Sequence, residues 1–432
     1  MEKRYYPQLD ETVFWNVLPN GLNVAVVPRP GTTKKLCYFV TDFGAIHQKF
    51  SIDGVPYTVP AGIAHYLEHK LFDMPDRDVT EEFAMLGAIP NAFTSYDITA
   101  YYFSCTENFE KSLRLLLEFV STPYFTEETV AKEQGIIGQE IDMTTDNPDS
   151  QIFQMLMQAM YKDHPVNVPI LGTRESIAEI TPEKLALCHR AFYRPDNMLL
   201  CVVGDVDAES VSAIAEELLP ESPREKVLVT RSWPEEMRPV TPLVTAKMDV
   251  ADPMFQLGFK YEPLDKGEAA VRREVVAELA CEALFGESSR LYLALYERGL
   301  IDSSFGGGFD TIEGMAMLTA GSTSTESDGP TLVRDAIVKA ARHIVEKGIT
   351  EKDFLRMKRS AIGMRIRALD SFESTCFRLC AYHLSDFDYF RFPAVYEAVQ
   401  VEEVLEFLNT AVTEDRMSLA IIYPNEQEET PC

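Results

Sequence analysis

The sequence predicts an α+β protein of two homologous domains, each a mostly antiparallel sheet with helices packed on one face. Three observations carry this expectation. One order of strand-like and helical segments occurs twice along the chain, a Pro- and charge-rich stretch separates the two copies, and 432 residues are too many for a single hydrophobic core.

In the first copy, 37–45 (CYFVTDFGA) reads as a strand and 61–72 (AGIAHYLEHKLF) as a helix. Residues 91–106 (NAFTSYDITAYYFSCT) are strand-like, 126–141 (TEETVAKEQGIIGQEI) read as a long helix, and 197–206 (NMLLCVVGDV) as a buried closing strand. The second copy repeats the series. Residues 254–261 (MFQLGFKY) read as a strand, 275–285 (VVAELACEALF) as a helix and 314–325 (GMAMLTAGSTST) as a strand. A helix at 350–366 (TEKDFLRMKRSAIGMRI) and a strand at 416–424 (RMSLAIIYP) complete it. Thr126-Glu127 corresponds to Thr350-Glu351 and Met198 to Met417, offsets of 224 and 219. Residues 220–241 (PESPREKVLVTRSWPEEMRPVT) lack any sustained period and read as a surface linker. The expected boundaries are therefore an N-terminal domain at 1–225, a linker at 226–242 and a C-terminal domain at 243–432.

The chain carries 40 Lys+Arg against 68 Asp+Glu, a formal charge of −28. That balance argues against nucleic acid or an anionic membrane as partner, because no cationic excess exists to neutralise phosphates. The N-terminus has no apolar signal core, and no segment reaches the ~20 apolar residues of a membrane span. A reducing, cytoplasmic setting is expected. The eight cysteines are Cys37, Cys105, Cys188, Cys201, Cys281, Cys376, Cys380 and Cys432. Most lie in apolar runs where a thiol packs as a small hydrophobe. Cys376 and Cys380 sit at i,i+4 on an expected helix, a spacing open to a metal but more often that of two buried thiols.

The most specific feature is His65-Tyr66-Leu67-Glu68-His69. On a helix, positions i and i+4 share a face, so both imidazoles can reach one ion, and Glu68 falls beside them. Catalytic zinc takes three protein ligands and keeps a position for water, and a neighbouring carboxylate can accept that water's proton. This is the inverted zincin pattern H-x-x-E-H. Its chance expectation in such a chain is about one in a hundred. A third ligand is available from the helix of Glu133 and Glu140, two carboxylates about two turns apart on one face. Across the duplication His65, Glu68 and His69 fall opposite Glu278, Cys281 and Glu282, while Glu133 and Glu140 fall opposite Met357 and Met364. The second copy thus reads as a degenerate partner of a functional first copy.

These segments resemble the pitrilysin/insulinase family of zinc peptidases, in the short form of the mitochondrial processing peptidase subunits, over nearly the whole chain. GIAHYLEHKLF resembles the family's metal helix, NAFTSYDITAYYFS its substrate-edge strand and KEQGIIGQEIDM its third-ligand helix. The resemblance implies Zn2+ held by His65, His69 and Glu140, with Glu68 as general base and Glu133 supporting the site. It implies that the chain is half of a clam-shell chamber that hydrolyses peptides or unfolded segments, and that Asn91 and Ala92 lie where an extended peptide adds to a sheet edge. Phe93 is a candidate for lining a side-chain pocket there. From His69 to Glu140 is 71 residues, a few fewer than the family pattern. The alternative is a non-catalytic scaffold subunit, which the intact ligand set argues against.

One departure concerns partners. The family uses an Arg and a Tyr, seven apart, from a C-terminal-half domain facing the zinc. Near 295–303 Tyr296 stands where that Arg is expected and Asp302-Ser303 where the Tyr is expected, with Arg298 displaced. The resemblance therefore implies a dimer: the departure points to a heterodimer with a related subunit that lacks the zinc motif and supplies the pair, and a homodimer is the simpler alternative. His164, in a Pro-rich turn, is expected at the surface or as a cap.

Overall fold

The structure is a computed structural model and describes residues 1–75 and 77–425; Cys432 lies outside them. The described residues form two compact units. The first combines 1–141 with 169–231 and 364–393, and the second combines 142–168 with 232–363 and 394–425.

The first unit is built on a seven-stranded sheet in the spatial order Glu2–Tyr6, Glu11–Val17, Asn23–Pro28, Met198–Gly204, Lys35–Thr41, Thr99–Cys105 and Ala88–Thr94. The second unit holds a five-stranded sheet in the order Leu243–Met248, Met417–Pro424, Met254–Tyr261, Met315–Thr323 and Gly306–Ile312. In both, the last strand of the copy inserts between two earlier strands, in parallel with Asn23–Pro28 or Leu243–Met248 on one side and antiparallel with Lys35–Thr41 or Met254–Tyr261 on the other. This shared order is the structural form of the duplication. The strand-like run at 91–106 resolves into a hairpin, Ala88–Thr94 against Thr99–Cys105, closed by a turn in which Ser95 N–H donates to the Ile98 carbonyl.

Helices gather on one face of each sheet. In the first unit Ile63–Leu71, Phe109–Ser121 and Ala208–Leu218 contribute Leu67, Leu116, Phe119 and Val211 to a core with Phe39, Tyr101, Phe103 and Val202 from the strands. The opposite face is closed by a helix from the other copy. Helix Phe372–Leu384 covers strands Met198–Gly204 and Lys35–Thr41, so every residue of MLLCVVG is buried, as expected for a strand covered on both faces. In the second unit, helix Pro148–Met160 from the first copy covers strands Met417–Pro424 and Met254–Tyr261. Strand Met254–Tyr261 alternates accordingly: the Tyr261 ring meets Phe407 of helix Val401–Ala411, and Lys260 lies over the Tyr161 ring at 4.6 Å.

The stretch between the copies is structured. Val227–Val229 pairs with Lys49–Ile52 in a small sheet of the first unit. The Trp233 ring packs at a tilt against His164, ring centres 4.4 Å apart, in the second unit. Gly314 turns at φ 82°, and a Cβ there would meet the Trp233 ring at 2.4 Å, so only glycine satisfies both demands. Glu235 accepts the backbone N–H groups of Lys162, Asp163 and His164 at 2.9, 2.6 and 2.7 Å. Its second oxygen accepts from the buried Lys260 ammonium at 3.1 Å. His164 does cap a turn, its Nδ1 accepting from Val166 N–H, but it is buried rather than at the surface because its ring is closed in beside Trp233 with Nε2 on the Glu313 carbonyl. Among the described residues no helix is long and apolar enough to cross a membrane.

Two outcomes test this packing. Leu156, fully buried on helix Pro148–Met160, should cost about 2–5 kcal/mol when changed to Ala, read as a lowered calorimetric melting temperature. The second concerns Glu235. Burial opposes its charge, yet the His164 and Asp163 N–H groups and the Lys260 ammonium together hold its carboxyl below the ordinary value. A depressed folded-state pKa stabilises at neutral pH, and that stabilisation is lost as pH falls through it. Glu235→Gln should therefore lower the melting temperature at pH 7, with the gap to wild type closing below about pH 4.

Candidate metal centre

Helix Ile63–Leu71 starts at Gly62, whose φ of 88° is left-handed and whose Cβ position lies 2.4 Å from the Leu171 carbonyl oxygen. A side chain there would be strained and would clash, so glycine sets where this helix begins. The Ser176 hydroxyl donates to the Ala61 carbonyl at 2.9 Å and secures the same junction. Across from it runs helix Glu127–Asp146. The buried Tyr66 hydroxyl donates to the Val130 carbonyl, and Ile137 is fully buried. Tyr66, outside the expected ligands, thereby ties the helix of the histidines to that of the carboxylates.

That contact brings the expected ligands together. One ligand atom each from His65, His69 and Glu140 lies within 4.8 Å of the others, and among the described residues no other group of three or more His, Cys, Asp or Glu is so arranged. Glu140 Oε1 lies 3.6 Å from His65 Nε2, and Oε2 lies 3.6 Å from His69 Nε2. Ligand atoms about 2.0–2.1 Å from a tetrahedral ion stand roughly 3.4 Å apart, so the spacing and the donor set, two imidazole nitrogens and a carboxylate, fit a divalent ion. Glu133, buried on the same helix as Glu140, bonds His69 Nδ1 at 2.9 Å. It thus orients the ring so that Nε2 faces Glu140. The His65 Nδ1 atom is buried without a hydrogen-bond partner.

The electrostatics agree with ligand use. Burial, and then the neighbouring His69, push His65 down to about 3, so it is neutral at physiological pH and its lone pair is available. Burial disfavours the charged form of His69, but Glu133, Glu68 and Glu140 outweigh it and raise the pKa. Burial, with some repulsion from Glu140, raises the Glu68 carboxyl, against the opposing effects of Thr94 and His69. Glu68 is 8 % exposed, and its Oε2 accepts from Thr94 Oγ1 at 2.7 Å.

Thr94 was not among the residues the sequence singled out, although it lies within the quoted run NAFTS. Strand periodicity places it two residues after Ala92 on the same face. Asn91, Ala92 and Phe93 lie on Ala88–Thr94, the outermost strand of the sheet, opposite Tyr102, Tyr101 and Ala100. Asn91 Oδ1 accepts the Ala92 N–H at 2.8 Å. The Phe93 side chain emerges on the face opposite Thr94, in an aromatic group with Phe377, Tyr102 and Tyr38 at ring distances of 6.0, 6.3 and 6.4 Å. Cys376 and Cys380 are buried thiols that belong to no metal-ligand group among the described residues.

Comparison with known proteins places this geometry among relatives. Residues 58–174 match the sequence profile of Insulinase (Peptidase family M16), and 179–361 match that of Peptidase M16 inactive domain. The chain is 37% identical over 430 residues to the Bacillus subtilis protein named uncharacterized zinc protease YmfH, an alignment spanning 97% of this chain and 98% of that one. An M16-like peptidase from Alicyclobacillus acidocaldarius is similar in structure, with a TM-score of 0.90 and 31% identity over 96% of this chain and 99% of the other. Pitrilysin shares the fold at a TM-score of 0.75 and 18% identity, with 98% of this chain matching 46% of that longer one.

The ligand geometry predicts a graded response in equilibrium dialysis with metal analysis. His65→Ala should abolish stoichiometric binding of a divalent ion. Glu133→Gln, which leaves three donors but loosens the His69 ring, should weaken it about 10–100-fold.

Proposed function

Since the chain belongs to the M16 peptidase family, in its short form, we propose that it is a zinc-dependent endopeptidase acting on peptides or unfolded polypeptide segments. The observation that carries this reading is the convergence of His65, His69 and Glu140 beside the buried Glu68.

In this reading His65, His69 and Glu140 hold Zn2+, and Glu133 keeps the His69 ring aimed. A bound zinc ion supplies Lewis acidity, polarising a carbonyl and lowering the pKa of water. Glu68 is the general base. Thr94 occupies Oε2, so Oε1 takes the proton of the attacking water and later returns it to the departing amine. Burial raises the Glu68 carboxyl, which suits a group that accepts and then donates a proton near neutral pH. Because Thr94 ends the outermost strand, the same strand that steadies the base offers its outer edge, at Asn91 and Ala92, to an extended substrate. Main-chain pairing there gives affinity with little side-chain selectivity.

The second copy supports a division of labour. Glu278 accepts the Tyr396 hydroxyl at 2.5 Å, and Glu282 lies 3.8 Å from Arg356, so the carboxylates at the counterparts of His65 and His69 have other partners. Near the expected Arg and Tyr positions, Tyr296 stacks on Tyr292, and Asp302 accepts hydrogen bonds from Ser304, Ser322 and Thr323. These groups are engaged with partners of the second unit. We therefore assign the missing oxyanion and substrate-clamping donors to a related, zinc-free second subunit that completes a dimeric chamber.

Three outcomes test the reading. Glu68→Gln should keep zinc and lose peptide cleavage about 10²–10⁴-fold, measured with a quenched peptide; a variant that retains both overturns the assignment of the base. Thr94→Val should lower kcat by a smaller factor with zinc content unchanged. Intact-mass analysis of the purified complex should find a second, different subunit, and full activity from this chain alone would exclude it.

A further inference from the structure

Cys201 sits at the middle of strand Met198–Gly204, on the face covered by helix Phe372–Leu384. Its Sγ lies 3.7 Å from Cys376 Sγ, across 175 residues of sequence, and both side chains are 0 % exposed. The Cys376 sulfur also lies 4.0 Å from the Cys201 carbonyl oxygen. A disulfide needs its sulfurs at about 2.04 Å, so the two thiols are in contact but not bonded.

We propose that Cys201 and Cys376 form a reversible disulfide, driven by hydrogen peroxide, that fastens helix Phe372–Leu384 to the central strand of the sheet bearing the metal centre. This inference does not depend on the peptidase reading. Hydrogen peroxide is small and neutral enough to reach buried sulfur during local fluctuations. The Cys201 thiolate attacks one peroxide oxygen, the S–O bond forms as the O–O bond breaks, and hydroxide leaves to become water. The Cys376 sulfur then attacks the resulting sulfenic acid. The S–S bond forms, the S–O bond breaks, and the oxygen departs as a second water carrying the Cys376 proton. Two thiols are oxidised and one peroxide is reduced to two waters, so atoms and electrons balance.

The local chemistry assigns the roles. Hydrogen bonding with the Cys376 and Cys380 sulfurs lowers the Cys201 pKa against its burial, while burial pushes the Cys376 thiol up. Cys201 is the attacking thiolate and Cys376 the resolving thiol. The bond closes a loop of 175 residues in the unfolded chain, so oxidation raises stability by constraining that state.

The test uses the full wild-type chain. After exposure to hydrogen peroxide under native conditions, thiols are blocked, the protein is digested without reduction, and peptides are analysed by mass spectrometry. The expected result is a linked pair of peptides carrying Cys201 and Cys376 that separates on dithiothreitol treatment. It should accompany a rise in melting temperature of at least about 3 °C that reduction reverses. Cys380→Ser should retain the link, and Cys376→Ser should lose both link and shift. Linkage of Cys201 to Cys380 instead, sulfinic or sulfonic acid without a link, or unreacted thiols in the folded protein would each overturn the proposal. The wild-type peptide map decides the matter even where a variant folds poorly.

Discussion

The structure of the first unit depends on the seam between helix Ile63–Leu71 and helix Glu127–Asp146. Two imidazoles and three carboxylates meet there, and four of these five, all but Glu140, are no more than 27 % exposed. Such groups are costly to remove from water unless each finds a partner. The seam supplies partners in an ordered way: Glu133 to His69, Thr94 to Glu68, and the Tyr66 hydroxyl to the Val130 carbonyl of the facing helix. What remains are three donor atoms facing one point, which is the electrostatic condition for a cation.

A seam of this kind needs a rigid support, and the two-faced burial of the sheet provides it. Each copy of the duplicated unit lends one helix to the other: Phe372–Leu384 closes the first sheet and Pro148–Met160 closes the second. Removing either helix would expose a strand that is apolar on both faces. The exchange also explains why the segment between the copies is structured. Its ends are anchored in different units, by strand pairing at Val227–Val229 and by the Trp233 and Glu235 contacts.

The second copy keeps the frame and, among the described residues, lacks the donor cluster. Its strand order reproduces the core of the first sheet. Met357, opposite Glu133, is 2 % exposed, so an apolar side chain fills the place of a buried carboxylate and no pairing is required there. Cys281, opposite Glu68, is likewise buried. The apolar frame persists because packing alone maintains it, whereas a buried polar group persists only with its partners.

Much of this was legible in the residues. The spacing of His65 and His69 puts both rings on one helical face by backbone geometry alone, and the apolar periods of the ten strand and helix segments survive in the folded chain. The duplication was visible because both copies bury the same pattern. Long-range contact was not legible. The choice of Glu140 over Glu133 as third donor came from family resemblance, and its geometric basis is the rotation of one helix against another. Thr94 could be assigned no partner until the edge strand met the metal helix, and the face taken by Phe93 followed from the hairpin register. The reciprocal helix exchange and the Cys201–Cys376 contact join positions far apart in the chain. Local propensity and periodicity act over a few residues, so they determine which segments are helix or strand and which side of each is apolar. Which apolar side meets which, and therefore which polar atoms converge, is decided only when the segments pack.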